Sequence, residues 1–377
     1  MKPGPLDPTA HRTPWIDMVK GLACAAIVWH HLASYGPMSD IAYPLAPALL
    51  TCLHDYGRMA VPVFLVLGGY LAAASLAPQG VARFDHAGRA LAQRLVRLLV
   101  PYAVALLLAV LAAALVRPWM AHPSVPEPPT LAQLLANALL LQDILGEEAL
   151  SAGVWYVAID FQLFALSVLV LAGARALPGA WAQRHPAAVA QVLIAAGTAA
   201  SLWVFNRIAG LDVWAPYFAG AYGLGMQACW AVHAPRARGW LAAIVLLAGA
   251  ALALDYRSRV AVALVTALCL VLAMRSRRVQ SWRGIAALVR LGRMSYSVFL
   301  LHFSVSLFVS AVFSRWWPTS AALNALGMLL AFVLSLAAGR ILYLRVERRA
   351  PSWPTALRWQ LGLLGVGLLV AKSASWA

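Results

Sequence analysis

Long apolar stretches separated by short polar connections dominate the pattern of the chain. A helix that spans a bilayer needs about 20 mostly apolar residues. The pattern therefore predicts an all-α, polytopic bundle of about ten transmembrane helices, with a weaker stretch as an eleventh span or an interfacial helix. The predicted spans are 15–36, 59–77, 97–116, 153–173, 187–206, 213–231, 239–254, 260–274, 295–314 and 320–342, and the weaker stretch is 357–371.

Basic residues are unevenly divided between the connections on the two sides of this bundle. Cytoplasmic loops of membrane proteins are enriched in Lys and Arg. If the N-terminus is cytoplasmic, the basic runs at 83–97, 275–293 and 340–349 all fall on the inner side, and few basic residues fall outside. We therefore predict a cytoplasmic N-terminal tail up to Pro14, multiple passes through the inner (plasma) membrane, and a long outer connection at 117–152.

Composition supports a membrane protein and excludes several other classes. The 377 residues are 63% hydrophobic and only 11% charged, whereas about a quarter of a soluble domain is charged. The net charge of +16 comes from Lys and Arg in the connections between spans, as membrane topology requires. The sequence has no basic stripe interleaved with aromatic residues, so we do not expect it to bind nucleic acid. None of the four cysteines has the spacing of a metal site, and no metal is predicted.

Ionisable side chains inside a span indicate a pathway or a site, because they are expensive at membrane depth. Lys20 and His31 share one face of the first predicted span, about 16 Å apart. Lys20 is equally well explained as an anchor that reaches the cytoplasmic surface, and a lone histidine as a packing residue. His30 points to a different face, so we do not expect both adjacent histidines to act.

Asp160 lies about 10 Å inside the predicted span that begins near Gly153. This depth is close to that inferred for His31, so the carboxylate is placed to orient and polarise the imidazole. A hydrogen bond between packed helices is the alternative.

Two further sets of polar residues near predicted spans also indicate a site. Arg293 is predicted at the cytoplasmic edge of a span that carries Tyr296, with His302 about 13 Å deeper. Arg94 and Arg97 precede another span and form a basic inner rim that would attract anionic lipid or hold the phosphates of a nucleotide-like donor. Alternatively, the arginines only set the orientation of the helices in the membrane, and His302 only packs between helices.

Six short motifs, in one order along the chain, together resemble the acyltransferase-3 family of membrane acyltransferases. The resemblance runs from about Asp17 to Pro351. The motifs are DMVKGLACAAIVWHH with Asp17, Lys20 and His31; FLVLGGY at 64–70; RLVRLLVPY at 94–102; WYVAID at 155–160; GRMSYSVFLLH at 292–302; and YLRVERRAP at 343–351. Three positions depart from the family pattern, which has Arg at Lys20, Ser at Gly68 and Glu at Asp160.

The resemblance implies an enzyme that uses a cytoplasmic acyl-CoA, typically acetyl-CoA, as donor substrate and has no bound cofactor. It also implies a carbohydrate or glycoconjugate acceptor. Residues 1–350 are predicted to form the membrane acyltransferase domain, and 351–377 a C-terminal extension. The oligomeric state is left open.

A sugar hydroxyl becomes a good nucleophile when a base removes its proton, and His31 is the predicted base. Direct transfer and a transient acyl-histidine are both open. Asp160 would fix the imidazole tautomer, and Tyr296 or His302 would donate hydrogen bonds to the oxyanion. Lys20, Arg94, Arg97 and Arg293 would hold the phosphates of the donor.

Two other functions use the same residues. Intramembrane His, Asp and Arg also serve proton relays, so a transporter or flippase for polysaccharide is an alternative. We find no inverted repeat or paired broken helices, which transporters often show. An assembly partner for a polysaccharide synthase is a third reading.

Overall fold

The computed structural model describes residues 13–374, and within this range the chain is helical and contains no strand. The predicted all-α architecture is therefore confirmed. Most of the predicted cytoplasmic tail, up to Arg12, lies outside the described residues, as do residues 375–377 of the predicted C-terminal extension.

Eleven of the described helices contain 17 or more residues. They are α1 (Pro14–Ser34), α2 (Ala60–Leu76), α3 (Ala87–Val116), α4 (Trp155–Ala176), α5 (Pro186–Trp203), α6 (Ala215–His233), α7 (Arg238–Leu254), α8 (Ser258–Arg275), α9 (Ser295–Trp316), α10 (Ala321–Leu342) and α11 (Trp353–Ala374). Each apolar stretch of the sequence overlaps one of them.

Short helices fill the connections between the long ones. The α-helical segments are Pro37–Ala42, Pro47–Tyr56, Leu131–Ala138, Gln142–Leu145, Ala180–Arg184, Arg277–Ser281 and Ala286–Arg293. The 3-10 turns are Tyr43–Leu45, Gly57–Met59, Phe205–Arg207 and Ala209–Leu211, and Tyr343–Glu347 is a π-helical turn.

Eight helical stretches of the described chain are long and apolar enough to cross a membrane. This makes the protein a polytopic helical membrane protein, because a bilayer leaves backbone groups no partners outside a helix or a closed barrel. The exact number of spans and the side of the N-terminus stay predictions.

Helix α3 begins ten residues earlier than the predicted span at 97–116, at Ala87. Arg94 and Arg97 are therefore on the helix itself and not in the connection before it. Pro101 lies inside α3 without ending it.

The chain divides into two compact units that interleave along the sequence. Of the described residues, the first contains those up to Lys20, Val61–Gln93 and Ile159–Arg290, and the second contains Gly21–Ala60, Arg94–Ala158 and those from Leu291 onward. The division predicted at residue 350 stays a prediction.

In the first unit, α2 and α6 touch backbone to backbone. A Cβ atom on Gly69 would lie 1.9 Å from the carbonyl oxygen of Tyr222, and one on Gly225 would lie 1.9 Å from that of Val66. Only glycine permits this approach, which is how small residues pack helices in membranes. The glycines of the FLVLGGY motif are thus in part a packing device.

In the second unit, α1, α3 and α9 run parallel to one another. The Cys24 thiol donates to the carbonyl of Ser295 at 3.7 Å, near the start of α9. The Tyr296 hydroxyl donates to the carbonyl of Leu98 on α3 at 3.0 Å. Near the other end, Ala113 and Val116 of α3 pack with Leu307 and Ala311 of α9.

Helix α10 runs antiparallel to α9 in the same unit. Gly339, near the end of α10, is so close to the start of α9 that a Cβ would lie 2.7 Å from the Cα of Val298. Gly327, near the start of α10, lies against the ring of Phe313 close to the end of α9.

The predicted long connection at 117–152 is ordered by hydrogen bonds around one helix. Thr130 caps Leu131–Ala138 through a reciprocal bond with Gln133. The buried Asn137 amide donates to the carbonyl of Glu148 at 2.9 Å, and its oxygen accepts from the Leu150 N–H at 3.1 Å. The Asn137 side chain thus joins the helix Leu131–Ala138 to the segment that contains Glu148 and Leu150.

Candidate functional site

Two histidines from distant parts of the sequence meet in the interior of the second unit. His31 of α1 is 7% exposed and His302 of α9 is 1% exposed. Nδ1 of His31 lies 2.5 Å from Nε2 of His302, and the rings stack with their centroids 4.7 Å apart. Both were singled out from the sequence, but their contact was not foreseen.

The parallel packing of α1 and α9 explains the meeting. His31 follows Cys24 by seven residues, and His302 follows Ser295 by seven residues. Seven residues are about two turns, or 10.5 Å along a helix axis. Because the Cys24 thiol bonds to Ser295, equal spacing brings the two imidazoles to the same height.

The surrounding hydrogen bonds assign the tautomers of the pair. Nδ1 of His302 lies 2.5 Å from the carbonyl oxygen of Phe299, which can only accept, so this nitrogen carries the proton. In neutral His302, Nε2 is then an acceptor, and Nδ1 of His31 must donate to it. This leaves the unshared electron pair of His31 on Nε2, where it is available to take a proton.

Gly153 closes the site from the connection that leads into α4. Its φ of +80° is in the left-handed region, which favours glycine. A Cβ there would lie 3.1 Å from Cε1 of His31 and 3.1 Å from the ring of Phe299. The glycine thus lets the backbone touch the imidazole.

Aromatic rings complete the surroundings of His31. Tyr35 contacts it edge to face, with the ring centroids 5.4 Å apart. Phe299 packs beside His302 at 5.8 Å and against Tyr156 at 6.0 Å. These rings limit the directions from which a reactant can approach the pair.

His30 makes its hydrogen bond outside this site, although its ring still contacts that of His31, with the centroids 5.3 Å apart. Its Nδ1 lies 3.3 Å from the carbonyl oxygen of Leu53, and its Cβ would be 2.6 Å from a Cβ on Gly57. His30 therefore packs against the segment that follows α1, and the two adjacent histidines have different environments.

The basic residues predicted for the donor lie toward one end of the parallel helices. Arg94 and Arg97 are in the first three turns of α3, and Arg293 precedes α9 by two residues. His302 follows Arg293 by nine residues, about 13.5 Å of helix rise. Tyr296 is at the same end, and its hydroxyl donates to the backbone of Leu98.

Lys20 and Asp160 belong to the first unit, and the predicted contact between Asp160 and His31 stays a prediction. Asp160 is 9% exposed, and one of its carboxylate oxygens would be 3.7 Å from a Cβ on Gly68. A serine at position 68, the residue typical of the motif, would therefore lie beside the Asp160 carboxylate.

Several contacts were not expected from the sequence. Gly153 lies two residues before the first residue of WYVAID but was given no role. The Ser297 hydroxyl donates to the carboxylate of Glu347 at 2.6 Å, and Glu347 ends the π-helical turn in YLRVERRAP. The motif marked Glu347, but only the fold identifies its partner. In the part of the chain that is described, no three His, Cys, Asp or Glu side chains are grouped to hold a metal ion.

Comparison with known proteins gives one clear result. A family model described as an acyltransferase domain matches residues 13–344. Comparison with curated proteins and with solved structures gave no significant match.

Proposed function

The chain belongs to the acyltransferase-3 family and is a membrane acyltransferase, and from this premise we propose its donor, acceptor and chemistry. It moves an acyl group, with acetyl as the first candidate, from cytoplasmic acyl-CoA to a hydroxyl of a carbohydrate or glycoconjugate of the cell envelope. The buried pair of His31 and His302 is the observation that carries the proposal.

The pair supplies a base whose lone pair is already oriented. The carbonyl of Phe299 accepts from His302, and His302 accepts from His31, so Nε2 of His31 is the unprotonated end of the chain. A base within hydrogen-bond reach of the reacting proton typically contributes about 10²–10⁴-fold in rate. His302 is then a positioning residue, because it acts through His31.

The transfer step balances with the donor and the acceptor alone. Nε2 of His31 takes the proton of the acceptor hydroxyl as its oxygen attacks the thioester carbonyl carbon. The carbon–sulfur bond breaks, an ester bond forms, and the CoA thiolate leaves with the proton that His31 held. A covalent route, in which Nε2 itself carries the acyl group, uses the same nitrogen and remains the alternative.

The positions of the basic residues support a donor that enters from the end where α3 and α9 begin. Arg94, Arg97 and Arg293 provide planar donors suited to phosphate oxygens, and Lys20 is proposed for the same role. With the N-terminus in the cytoplasm, this end faces the compartment that holds acyl-CoA.

The oxyanion is less clearly assigned to a residue. Both ring nitrogens of His302 already have partners, so we assign it to positioning. Tyr296 keeps its proposed role as donor to the oxyanion, for which its hydroxyl would have to release the carbonyl of Leu98 that now accepts its proton. Asp160 keeps its proposed role as an acidic residue that polarises the imidazole.

The test is release of free CoA by purified protein in lipid, with acetyl-CoA or longer acyl-CoA and a pool of methyl glycosides of neutral mono- and disaccharides. We expect release that requires both a glycan and His31. His31→Ala should lose it, and His302→Ala should lower kcat with little change in the KM for acyl-CoA.

His30→Ala is the matched control, because it removes an adjacent histidine whose ring nitrogen bonds to the carbonyl of Leu53 and not to the pair. It should retain transfer. Full activity of His31→Ala, or no CoA release with any donor from wild-type protein shown to be folded, would refute the proposed chemistry. The second result would favour transport over transfer.

A further inference from the structure

We propose that Arg207 and Arg259, beside the largely buried guanidinium of Arg257, bind the phosphate headgroup of an anionic membrane lipid. These three residues, together the arginine cluster, belong to the first unit. They lie at the end of that unit where α5 and α7 finish and α6 and α8 begin. The inference goes beyond the proposed function, because His31 and His302 belong to the second unit.

Arg257 is the fixed centre of the arginine cluster. Its side chain is 11% exposed. Nη1 donates to the side-chain oxygen of Asn206 at 2.6 Å, and Nη2 donates to the carbonyl oxygen of Leu202 at 2.8 Å. Leu202 lies in the last turn of α5, so the guanidinium is held against the negative end of that helix. A charge fixed in this way cannot move away from its neighbours.

The arginine cluster carries more positive charge than the neighbouring carboxylates balance. Oδ2 of Asp255 lies 3.4 Å from Nε of Arg257 and 3.7 Å from Nε of Arg207. Two guanidinium groups therefore share a single carboxylate oxygen. In the described part of the chain, neither Arg259 nor Asp212, the other carboxylate in these connections, forms an ion pair. Three positive charges thus face one paired negative charge.

The like charges of the cluster act on one another. Burial lowers the pKa of the Arg257 guanidinium, although Asp255 raises it. The nearby charges of Arg207 and Arg259 lower this pKa further. The N-terminal end of α8 adds positive charge, and its first turn contains no acidic residue to offset it. A bound anion would offset this charge, and the planar fork of arginine matches the oxygens of a phosphate.

Arg207 and Arg259 have donors that a ligand can reach. The side chain of Arg207 is 47% exposed, and the described chain offers a partner only to its Nε, so both terminal nitrogens are open. Arg259 is also exposed. Its Nη2 donates to the Tyr217 hydroxyl at 2.7 Å, and its guanidinium lies 5.3 Å from the centroid of the same ring. Tyr217 thus orients Arg259 and leaves its Nε and Nη1 for a ligand.

The arginine cluster lies where the headgroups of a bilayer are expected. Pro186–Arg207 and Ser258–Arg275 are long and apolar enough to cross a membrane, and the cluster is at the end of the first and the start of the second. Tryptophan and tyrosine are enriched where a membrane meets water. Four exposed aromatic side chains lie at the same end: Trp203, Phe205, Trp214 and Tyr256. These surroundings favour a lipid phosphate over a soluble anion.

Topology alone does not account for these arginines. With the N-terminus in the cytoplasm, this end of the first unit faces outward, and the positive-inside rule keeps basic residues on the other side. A brace between the two connections accounts for Arg257, which joins Asn206 and Leu202. It does not account for Arg207 and Arg259, whose open donors take no part in it.

The experiment maps lipid contacts on the full chain in phosphatidylcholine vesicles that contain a small fraction of photoactivatable phosphatidylglycerol. We expect labelling of two cluster segments, 203–214 and 255–259, measured by mass spectrometry of chymotryptic peptides. Arg207→Gln and Arg259→Gln should each lower this labelling about tenfold at subsaturating lipid, because each removes charge-assisted hydrogen bonds to the phosphate. Labelling of the rest of the chain should stay at the wild-type value.

Arg184→Gln and Arg238→Gln are the matched controls. Each removes an exposed arginine of the first unit, near the opposite ends of α5 and α7, so labelling of the two cluster segments should match wild type. Thermal unfolding in phosphatidylcholine vesicles checks the fold. Arg207→Gln should unfold as wild type does, since its one ion pair is exposed and long. This variant decides the test if Arg259→Gln is destabilised by losing its contact with Tyr217.

Three outcomes would overturn the proposal. The first is labelling of the cluster segments that is absent in wild type, or unchanged in both Arg207→Gln and Arg259→Gln. The second is equal labelling by a phosphatidylcholine with the same photoactivatable group, since the site would then not select negative charge. The third is loss of labelling when an equal concentration of free glycerol phosphate is added, which would assign the site to a soluble anion. None of these measurements depends on acyl transfer.

Discussion

Replacing Gly153 with alanine tests whether contact with the backbone positions the imidazole of His31. The substitution has two separable effects. A residue with a Cβ in the left-handed region is destabilised by about 1–2 kcal/mol, and the φ of Gly153 is +80°. The new methyl group would also lie 3.1 Å from Cε1 of His31, closer than an ordinary van der Waals contact.

The crowding has to be relieved by a movement of the ring. His31 is held by His302 at 2.5 Å, so a shift of a few tenths of an ångström weakens that hydrogen bond and turns Nε2 away from the acceptor. A misplacement of 1 Å can lower a rate about 10²-fold. We therefore expect Gly153→Ala to lower kcat about tenfold.

Gly146→Ala is the matched control, because it lies in the same connection and isolates the backbone effect. Its φ is +71°, and a Cβ there meets no described atom within 4 Å. Thermal unfolding in lipid should show a similar loss of stability for both variants. CoA release should fall only for Gly153→Ala, and equal kcat values for the two variants would refute the argument.

Two predictions concern the fold. Gly69→Ala would place a methyl carbon 1.9 Å from the carbonyl oxygen of Tyr222, so we expect little folded protein. Gly197→Ala is the control, because its Cβ meets no described atom within 4 Å, and it should leave the thermal unfolding temperature unchanged. A stable Gly69→Ala protein would contradict the close crossing of α2 and α6. Asn137→Ala leaves the Leu150 N–H without its acceptor, and we expect a loss of about 1–3 kcal/mol with faster hydrogen exchange in 131–152. Unchanged exchange of the Leu150 amide would show that Asn137 does not hold this connection.

The helices of this protein follow from its sequence for a simple reason. In a bilayer, the backbone must satisfy its own hydrogen bonds, so an apolar stretch of sufficient length becomes a helix. The boundaries were less predictable. Helix α3 extends back to Ala87, because the basic residues at its start also favour a helix once it has begun.

The candidate site was only partly visible in the sequence. The cost of ionisable groups at membrane depth singled out His31, His302 and Asp160. Depth, however, gives the height of a side chain on its helix and not the direction in which it points. The sequence suggested Asp160 as the group that orients His31, which stays a prediction, and it did not reveal the contact between His31 and His302 that the structure contains.

The sequence by itself determined the all-helical membrane architecture, the family, and the short list of polar residues from which a site can be built. Only the tertiary structure decided that His31 and His302, 271 positions apart, form a pair with defined tautomers, that Gly153 touches it, and that Arg207 lies beside Arg257 and Arg259. The physical reason is that hydrophobicity acts along each helix separately. The contacts of the site depend on the relative rotation and height of packed helices, which small residues such as Gly36 and Gly339 adjust locally.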